Sequence, residues 1–206
     1  AIIVSHLHSD HWDEAARQAI PPDMPVLCHA RDADHIRQQG FTDIRSFTDR
    51  HEFGGVTLFV TEGRHGHPEI LETMGPVSGF LFRAPQEPVL YWAGDTILDE
   101  AGEVEAVLKR FKPDVVIAHT GGPVIEALSP EVLLMDAAQA VTFFGHAVRE
   151  NAEVQIIAIH MDALDHCFST RADLVAAFGD QTVDLKKHVT IPKDGEVVTL
   201  NKGAVV

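Results

Sequence analysis

The sequence predicts an α/β protein in which helices pack on a mixed sheet, and three observations carry that reading. Short apolar runs alternate with amphipathic segments through the whole chain, as strands interleaved with helices do. Hairpin-like strand pairs interrupt this alternation in the middle, so the sheet is mixed rather than wholly parallel. Apolar residues make up 45% and charged residues 23%, the balance of an ordinary globular chain. At 206 residues the chain suggests a single domain spanning 1–206. A chain of that size buries roughly 70% of its unfolded surface and needs no disulfide staple.

The elements follow in order. Ala1-Ile2-Ile3-Val4 reads as a short buried strand ending at Ser5. Trp12 to Ile20 reads as a helix stopped by Pro21-Pro22, because proline cannot continue the hydrogen-bond ladder. Val26-Leu27-Cys28 is a short strand, and Asp32 to Gln39 a helix with Gly40 in the C-terminal cap position. Val56 to Thr61 and Ser78 to Phe82 alternate as strands. Pro88 to Ala93 is a strand running into Gly94-Asp95-Thr96. Ala101 to Phe111 is an amphipathic helix with Val104, Val107, Leu108 and Phe111 on one face. Val115 to Ala118 is a buried strand. Ser129-Pro130 has the form of a helix start, predicting a helix to about Phe144 that stops at Gly145. Val154 to Ile159 is another buried strand, and Thr170 caps a helix closing at Gly179. Val189 to Ile191 and Val197 to Leu200 complete the pattern as strands.

Charge and composition exclude several classes. The formal net charge of −15 repels polyanions at long range, so no nucleic-acid partner is expected. Runs such as Val115-Val116-Ile117-Ala118 are far too short to span a bilayer, so no membrane partner is expected either. Only two cysteines, Cys28 and Cys167, and no visible leader point to a reducing, cytoplasmic setting. A small-molecule substrate remains. The glycine pairs Gly54-Gly55 and Gly121-Gly122 lack the lysine and spacing of a phosphate loop.

One anomaly points to chemistry. The chain has 13 histidines, and His6-Leu7-His8-Ser9-Asp10-His11 puts three imidazoles and a carboxylate directly after a strand. Imidazole nitrogen and carboxylate oxygen suit zinc and its neighbours in the transition series. In an extended start His6 and His8 point the same way, and the turn that follows lets Asp10 and His11 face a second ion. Asp95, His119 and His160 also sit just after buried strands, where a rigid sheet holds functional loops.

The motif His-x-His-x-Asp-His is followed by Gly63-Arg64-His65-Gly66-His67, then Ala93-Gly94-Asp95-Thr96, then Ile159-His160. In this order, over nearly the whole chain, it resembles the metallo-β-lactamase superfamily of hydrolases. Met74-Gly75-Pro76-Val77-Ser78-Gly79-Phe80 and His160-Met161-Asp162-Ala163-Leu164-Asp165-His166-Cys167 are similar to a branch of L-ascorbate-6-phosphate lactonase-like metal-dependent hydrolases. The resemblance implies a four-layer αββα sandwich and two divalent ions, zinc first, with manganese or iron tolerated. His6, His8 and His65 would hold one ion, Asp10, His11 and His160 the other, and Asp95 would bridge them. A hydroxide shared by the ions would attack a small ester, lactone or phosphoester, with Asp10 taking the water's proton.

Some assignments stay open in the sequence. His67 lies two residues from His65, which is preferred because it ends the strand and matches the family position. His119 either lines the pocket and polarises a substrate oxygen or is a loop residue steadied by backbone contacts. Asp162 and His166 read as groups that orient the ligands, Trp12 as core or pocket wall, and Cys167 as an inert thiol. Two competing functions share the features. Di-iron oxidoreductases of the same fold replace the motif's second histidine by glutamate and add a flavin domain, which His8 and the chain length oppose. A non-catalytic metal-binding module is the other. The family also carries several strands ahead of the histidine motif, whereas five residues precede His6 here. The expectation is a domain incomplete at its N-terminus, with an open sheet edge and exposed apolar surface that favour a homo-oligomer.

Overall fold

A computed structural model of the chain describes residues 1–98, 102–179 and 184–200. Three short strands, β1 (Ile2–Val4), β2 (Val26–His29) and β3 (Ile44–Phe47), form an all-parallel sheet in that order. Parallel neighbours need a crossover. The first runs through α1 (Glu14–Ala19), and the second through a 3-10 turn, Ala30–Asp32, and α2 (Ala33–Gln38).

The larger sheet takes β4 (Arg50–Phe53), β5 (Val56–Gly63), β6 (Val77–Arg83), β7 (Leu90–Trp92), β8 (Val115–His119), β9 (Gln155–Ile159) and β10 (Val189–Thr190) side by side in chain order. Strands β4 to β7 pair antiparallel. From β7 onward the pairing is parallel. A short helix, α3 (Leu71–Met74), lies between β5 and β6. The parallel crossovers carry α4 (Glu103–Phe111), α5 (Ala137–Glu150) and α6 (Arg171–Ala177).

Strand side chains alternate between faces, and the alternation builds the layers. In β2, Val26 and Cys28 pack with Ile36 of α2, while Leu27 between them packs with Leu58 and Phe80 of the larger sheet. In β6 and β7, Phe80 and Trp92 face the small sheet, whereas Leu81 and Tyr91 join Leu108, Phe143 and Phe144 of α4 and α5. The order is helix, sheet, sheet, helix, as the αββα reading requires. Among the described residues β1 stands at an edge of the small sheet, with Ile2 and Ile3 half-buried. No described helix is long and apolar enough to cross a membrane.

Several boundaries differ from the sequence expectation. The helix expected from Ser129-Pro130 starts instead at Ala137, where the Asp136 side chain accepts from the Gln139 amide. Residues 129–135 run as a strap tied to other segments by backbone hydrogen bonds, Leu133 N–H to the Pro123 carbonyl and Met135 N–H to that of Thr96. Gly145 does not stop α5, which continues to Glu150. An interior glycine costs about 1 kcal/mol, which the burial of Phe143, Phe144 and Ala147 outweighs. Val197 to Leu200 forms no strand. Val197 is 88% exposed and has no apolar face to cover. Trp12 is core, its ring tilted against Phe41 with centroids 5.2 Å apart, and α1 begins after its Asp13 cap. The expected helix start at Ala101 lies outside the described residues.

Candidate metal centre

The ends of the strands gather the donors. His6 follows β1, His65 follows β5, Asp95 follows β7, His119 ends β8 and His160 follows β9. Because β7, β8 and β9 are parallel, their carboxyl ends open on one side, where α/β sheets place ligands. Gly121 allows the last approach. A Cβ there would stand 2.1 Å from the His160 carbonyl oxygen and 2.7 Å from Cys167 Sγ. His160 and Asp162 adopt left-handed backbone, φ 66° and 60°, a conformation that costs side-chain-bearing residues energy and clusters at functional sites.

Two donor groups result. The ligand atoms of His6, His8 and His65 lie within 4.8 Å of one another. Each ring is held from behind. His6 Nδ1 pairs with Ser5 Oγ at 3.0 Å, His8 Nε2 with the Met74 carbonyl at 3.0 Å, and His65 Nδ1 with the Leu133 carbonyl at 2.9 Å. The ring nitrogens left facing inward are His6 Nε2, His8 Nδ1 and His65 Nε2, and such outer partners are how proteins orient metal ligands. His6 Nε2 is buried with no hydrogen-bond partner. A buried lone pair without a donor is costly, and a cation satisfies it.

The second group is His11, Asp95, His119 and His160, again within 4.8 Å. Asp95 faces both groups through one atom. Its Oδ2 lies 3.1 Å from His11 Nε2, 3.5 Å from His65 Nε2 and 3.8 Å from both His6 Nε2 and His160 Nε2. Asp10 stands slightly apart, its Oδ2 3.5 Å from Nε2 of His11 and of His160. His119 enters the group as a neighbour of Asp95 Oδ1, and its other nitrogen accepts the Trp92 indole N–H at 3.0 Å. His67 joins neither donor group and instead precedes the short turn at Pro68. His166 Nε2 reaches Asp10 Oδ2 only at 4.0 Å, and Asp162 pairs with Arg171 at 2.6 Å rather than with a donor. Trp92 and the Leu133 carbonyl went unread in the sequence because their roles depend on packing, and Ser5, though adjacent to His6, carries no pattern that marks it.

Burial and close contact shift the ionisation of these groups in opposite directions. Burial pushes His6 down to about 3, partly opposed by Asp95. Burial would raise Asp95, but His119, His11 and His160 hold it well below the usual carboxylate range. Burial would lower His160, yet contact with Asp10, Cys167 and Asp95 carries it up to about 10. Asp10 is likewise held low, burial being overcome by His160 and His11. The imidazole nitrogens and carboxylate oxygens gathered here are the donor atoms that zinc and its neighbours prefer.

Beside the donors lies a cavity of about 400 Å³ lined by His8, Asp10, His65, Asp95 and His160 and by Met74, Pro123, Ile125, Leu128, Leu133 and Leu134. The 123–135 strap supplies most of its apolar wall, and Ile125 and Leu128 remain 37% and 42% exposed. No lysine or arginine lines it among the described residues.

An αββα sandwich with a histidine-rich loop and a shared aspartate at the strand ends defines a hydrolase of the metallo-β-lactamase superfamily. Residues 1–161 match the family described as the beta-lactamase superfamily domain, and the chain belongs to it. It is 30% identical over 201 residues to the UPF0173 protein YddR of Bacillus subtilis (strain 168), covering 97% of this chain and 75% of that one. Among solved structures it is similar to a possible metal-dependent hydrolase from Veillonella parvula DSM 2008, with TM-score 0.86, 35% identity, and 97% and 76% of the two chains covered. It is similar also to an isothiocyanate hydrolase from Delia radicum gut bacteria, with TM-score 0.84, 33% identity and the same coverages, 97% and 76%. The chain is thus a metal-dependent hydrolase of this fold, with a His/Asp cluster able to bind metal.

Proposed function

We propose that the chain is a dinuclear hydrolase, zinc being the proposed ion, that cleaves small uncharged ester or lactone substrates. The observation that carries this reading is Asp95 Oδ2, set within 3.8 Å of imidazole nitrogens from both donor groups. His6, His8 and His65 would hold one ion, His11, His160 and Asp10 the other, and Asp95 both. When bound, paired divalent ions acidify water to near neutrality and polarise a substrate oxygen. The protein's own groups do the rest. Asp10 Oδ2 borders both the donors and the cavity, placed to accept the proton of the attacking water. The wall of Met74, Ile125, Leu128 and Leu133 holds the substrate body and excludes bulk water.

The cavity wall also separates substrate classes. Beyond the proposed ions and the histidines, the described lining offers no lysine or arginine to pair the extra charge of a phosphoester. Neutral carbonyl substrates fit better. An isothiocyanate carbon is a second neutral electrophile, favoured by the 33% identical isothiocyanate hydrolase. Cys28 and Cys167, both free thiols, support the reducing, cytoplasmic setting. The test is element-resolved metal content of the purified chain, followed by turnover on aryl esters, lactones, an aryl isothiocyanate and an aryl phosphate, before and after chelation. Expected are two ions per chain and hydrolysis of a neutral substrate that chelation removes and zinc restores. Full activity without metal, or phosphate as the preferred substrate, would overturn it.

A further inference from the structure

His119 belongs by distance to the second donor group, yet both of its ring nitrogens are already engaged. The Trp92 indole donates to His119 Nε2 at 3.0 Å. An indole N–H can only donate, so Nε2 carries no proton and its lone pair is taken. The opposite nitrogen, Nδ1, meets Asp95 Oδ1, a carboxylate that can only accept, so Nδ1 carries the proton. The ring is 3% exposed and stacks against His160, with centroids 4.8 Å apart. Neither nitrogen is left to a metal ion or to a substrate oxygen.

We propose that His119 is a positioning residue, locked between Trp92 and Asp95 in its Nδ1–H form so that it holds Asp95 Oδ1 and turns Oδ2 alone toward both histidine groups. A carboxylate free to rotate would offer either oxygen to either group. With Oδ1 occupied, Oδ2 is the single oxygen left facing His11, His65, His6 and His160, at 3.1, 3.5, 3.8 and 3.8 Å. Trp92 thereby acts on Asp95 from the end of β7 through a ring on β8. The inference rests on Asp95 as the shared ligand, but the form of His119 is a property of the protein without metal.

The first measurement is therefore ¹⁵N NMR of the histidine rings in metal-free and zinc-loaded protein. His119 is expected to show a proton on Nδ1 and none on Nε2 in both, and Trp92→Phe to leave the Nδ1 proton in place, held by Asp95, while shifting the Nε2 resonance as its lone pair is freed. A proton on Nε2, or a zinc-shifted nitrogen in His119, overturns the proposal. The second is zinc affinity by competition with a chelating dye. His119→Ala should weaken binding roughly 10–100-fold while keeping the saturating stoichiometry and the visible spectrum of the cobalt-substituted protein. His119→Asn, whose amide nitrogen replaces Nδ1, should recover most of the loss. A lost equivalent of metal with a changed cobalt spectrum would make His119 a ligand, and unchanged affinity would deny it a role. If wild-type protein binds no zinc, the metal-centre reading fails, and the NMR result still decides the form of His119.

Discussion

The two sheets are unequal partners in one site. The small sheet has three strands of three or four residues. Among the described residues its core is seven buried residues, including Val4, Trp12, Val26 and Ile36, and α1 buries none of its own. Among the described residues the large sheet has seven strands, and the core under α4, α5 and α6 holds twenty buried residues. Yet the small sheet carries His6, His8, Asp10 and His11, while the large one carries His65, Asp95, His119 and His160. Besides the Leu27–Phe80 packing and the contacts among the donors themselves, such as His11 to Asp95 at 3.1 Å and to His160 at 3.2 Å, polar ties between them among the described residues include Ser78 N–H to the Ser5 carbonyl at 3.2 Å, Arg31 to Ser78 Oγ at 2.8 Å and His8 to the Met74 carbonyl at 3.0 Å. Local stability follows buried contact. Ions held between the sheets as proposed would therefore act as cross-links, and the weaker sheet would gain most from them.

The sharpest way to break that comparison is to remove the shared ligand. Asp95→Ala should abolish metal-dependent turnover, a loss of about 10³-fold or more if several kcal/mol of charge stabilisation go with the ions. Elemental analysis of the variant should show metal lost in parallel. Hydrogen exchange then tests the cross-link itself. Stripping metal from the wild-type chain should speed exchange in β1 and β2 and leave β8 and β9 protected. Equal loss of protection in both sheets would mean that they fold as one unit regardless of ions.

How legible the site was follows the same division. The His6–His11 loop could be read because its donors are adjacent and strand geometry fixes their direction. Asp95 and His160 could be read because each ends a recognisable apolar strand. What fixes their orientation could not. Trp92 and the Leu133 carbonyl meet their histidines only through packing, the last across 68 positions, and even the adjacent Ser5 reaches His6 Nδ1 only once the ring's direction is set. The 129–135 strap was misread as helix because Ser-Pro mimics a helix start, while its true hydrogen-bond partners, Pro123 and Thr96, are not local. Strand β3 escaped because adjacent Arg45 and Ser46 break the alternation on which strand reading depends, and β4 because its four residues include a single apolar one, Phe53.

Two packing substitutions probe how the sheets are held without touching a donor. Phe80 is fully buried and packs between the sheets beside Leu27, Phe47 and Leu58. Phe80→Ala should cost about 3–5 kcal/mol in denaturant unfolding, and part of that loss should return when zinc is added, because the ions rejoin what the cavity loosens. Gly121→Ala acts on the other side. Its Cβ would meet the His160 carbonyl at 2.1 Å, and the displacement should cost about 1–3 kcal/mol. Here added zinc should recover little, because His160 itself is moved. A Gly121→Ala variant as stable and as metal-loaded as wild type would show that the 160–167 loop yields freely.

The smallest effect marks where the comparison stops applying. Thr170 caps α6 with a reciprocal pair, its side chain accepting from the Asp173 amide while the Asp173 carboxylate accepts from the Thr170 amide. The cap is exposed and belongs to the large sheet's helical layer, which Leu174 anchors in the main core. Thr170→Ala removes one half of the pair, with an expected cost of about 1 kcal/mol. That helix lies in the layer that ions do not cross-link. The loss should therefore be the same in metal-free and zinc-loaded protein, and metal content and turnover should be unchanged. Parallel thermal melts with and without chelator read the difference directly. A cost that vanished on metal loading would mean that α6 is coupled to the centre through the 160–167 loop, and the division between an ion-dependent small sheet and a self-sufficient large one would have to be redrawn at β9.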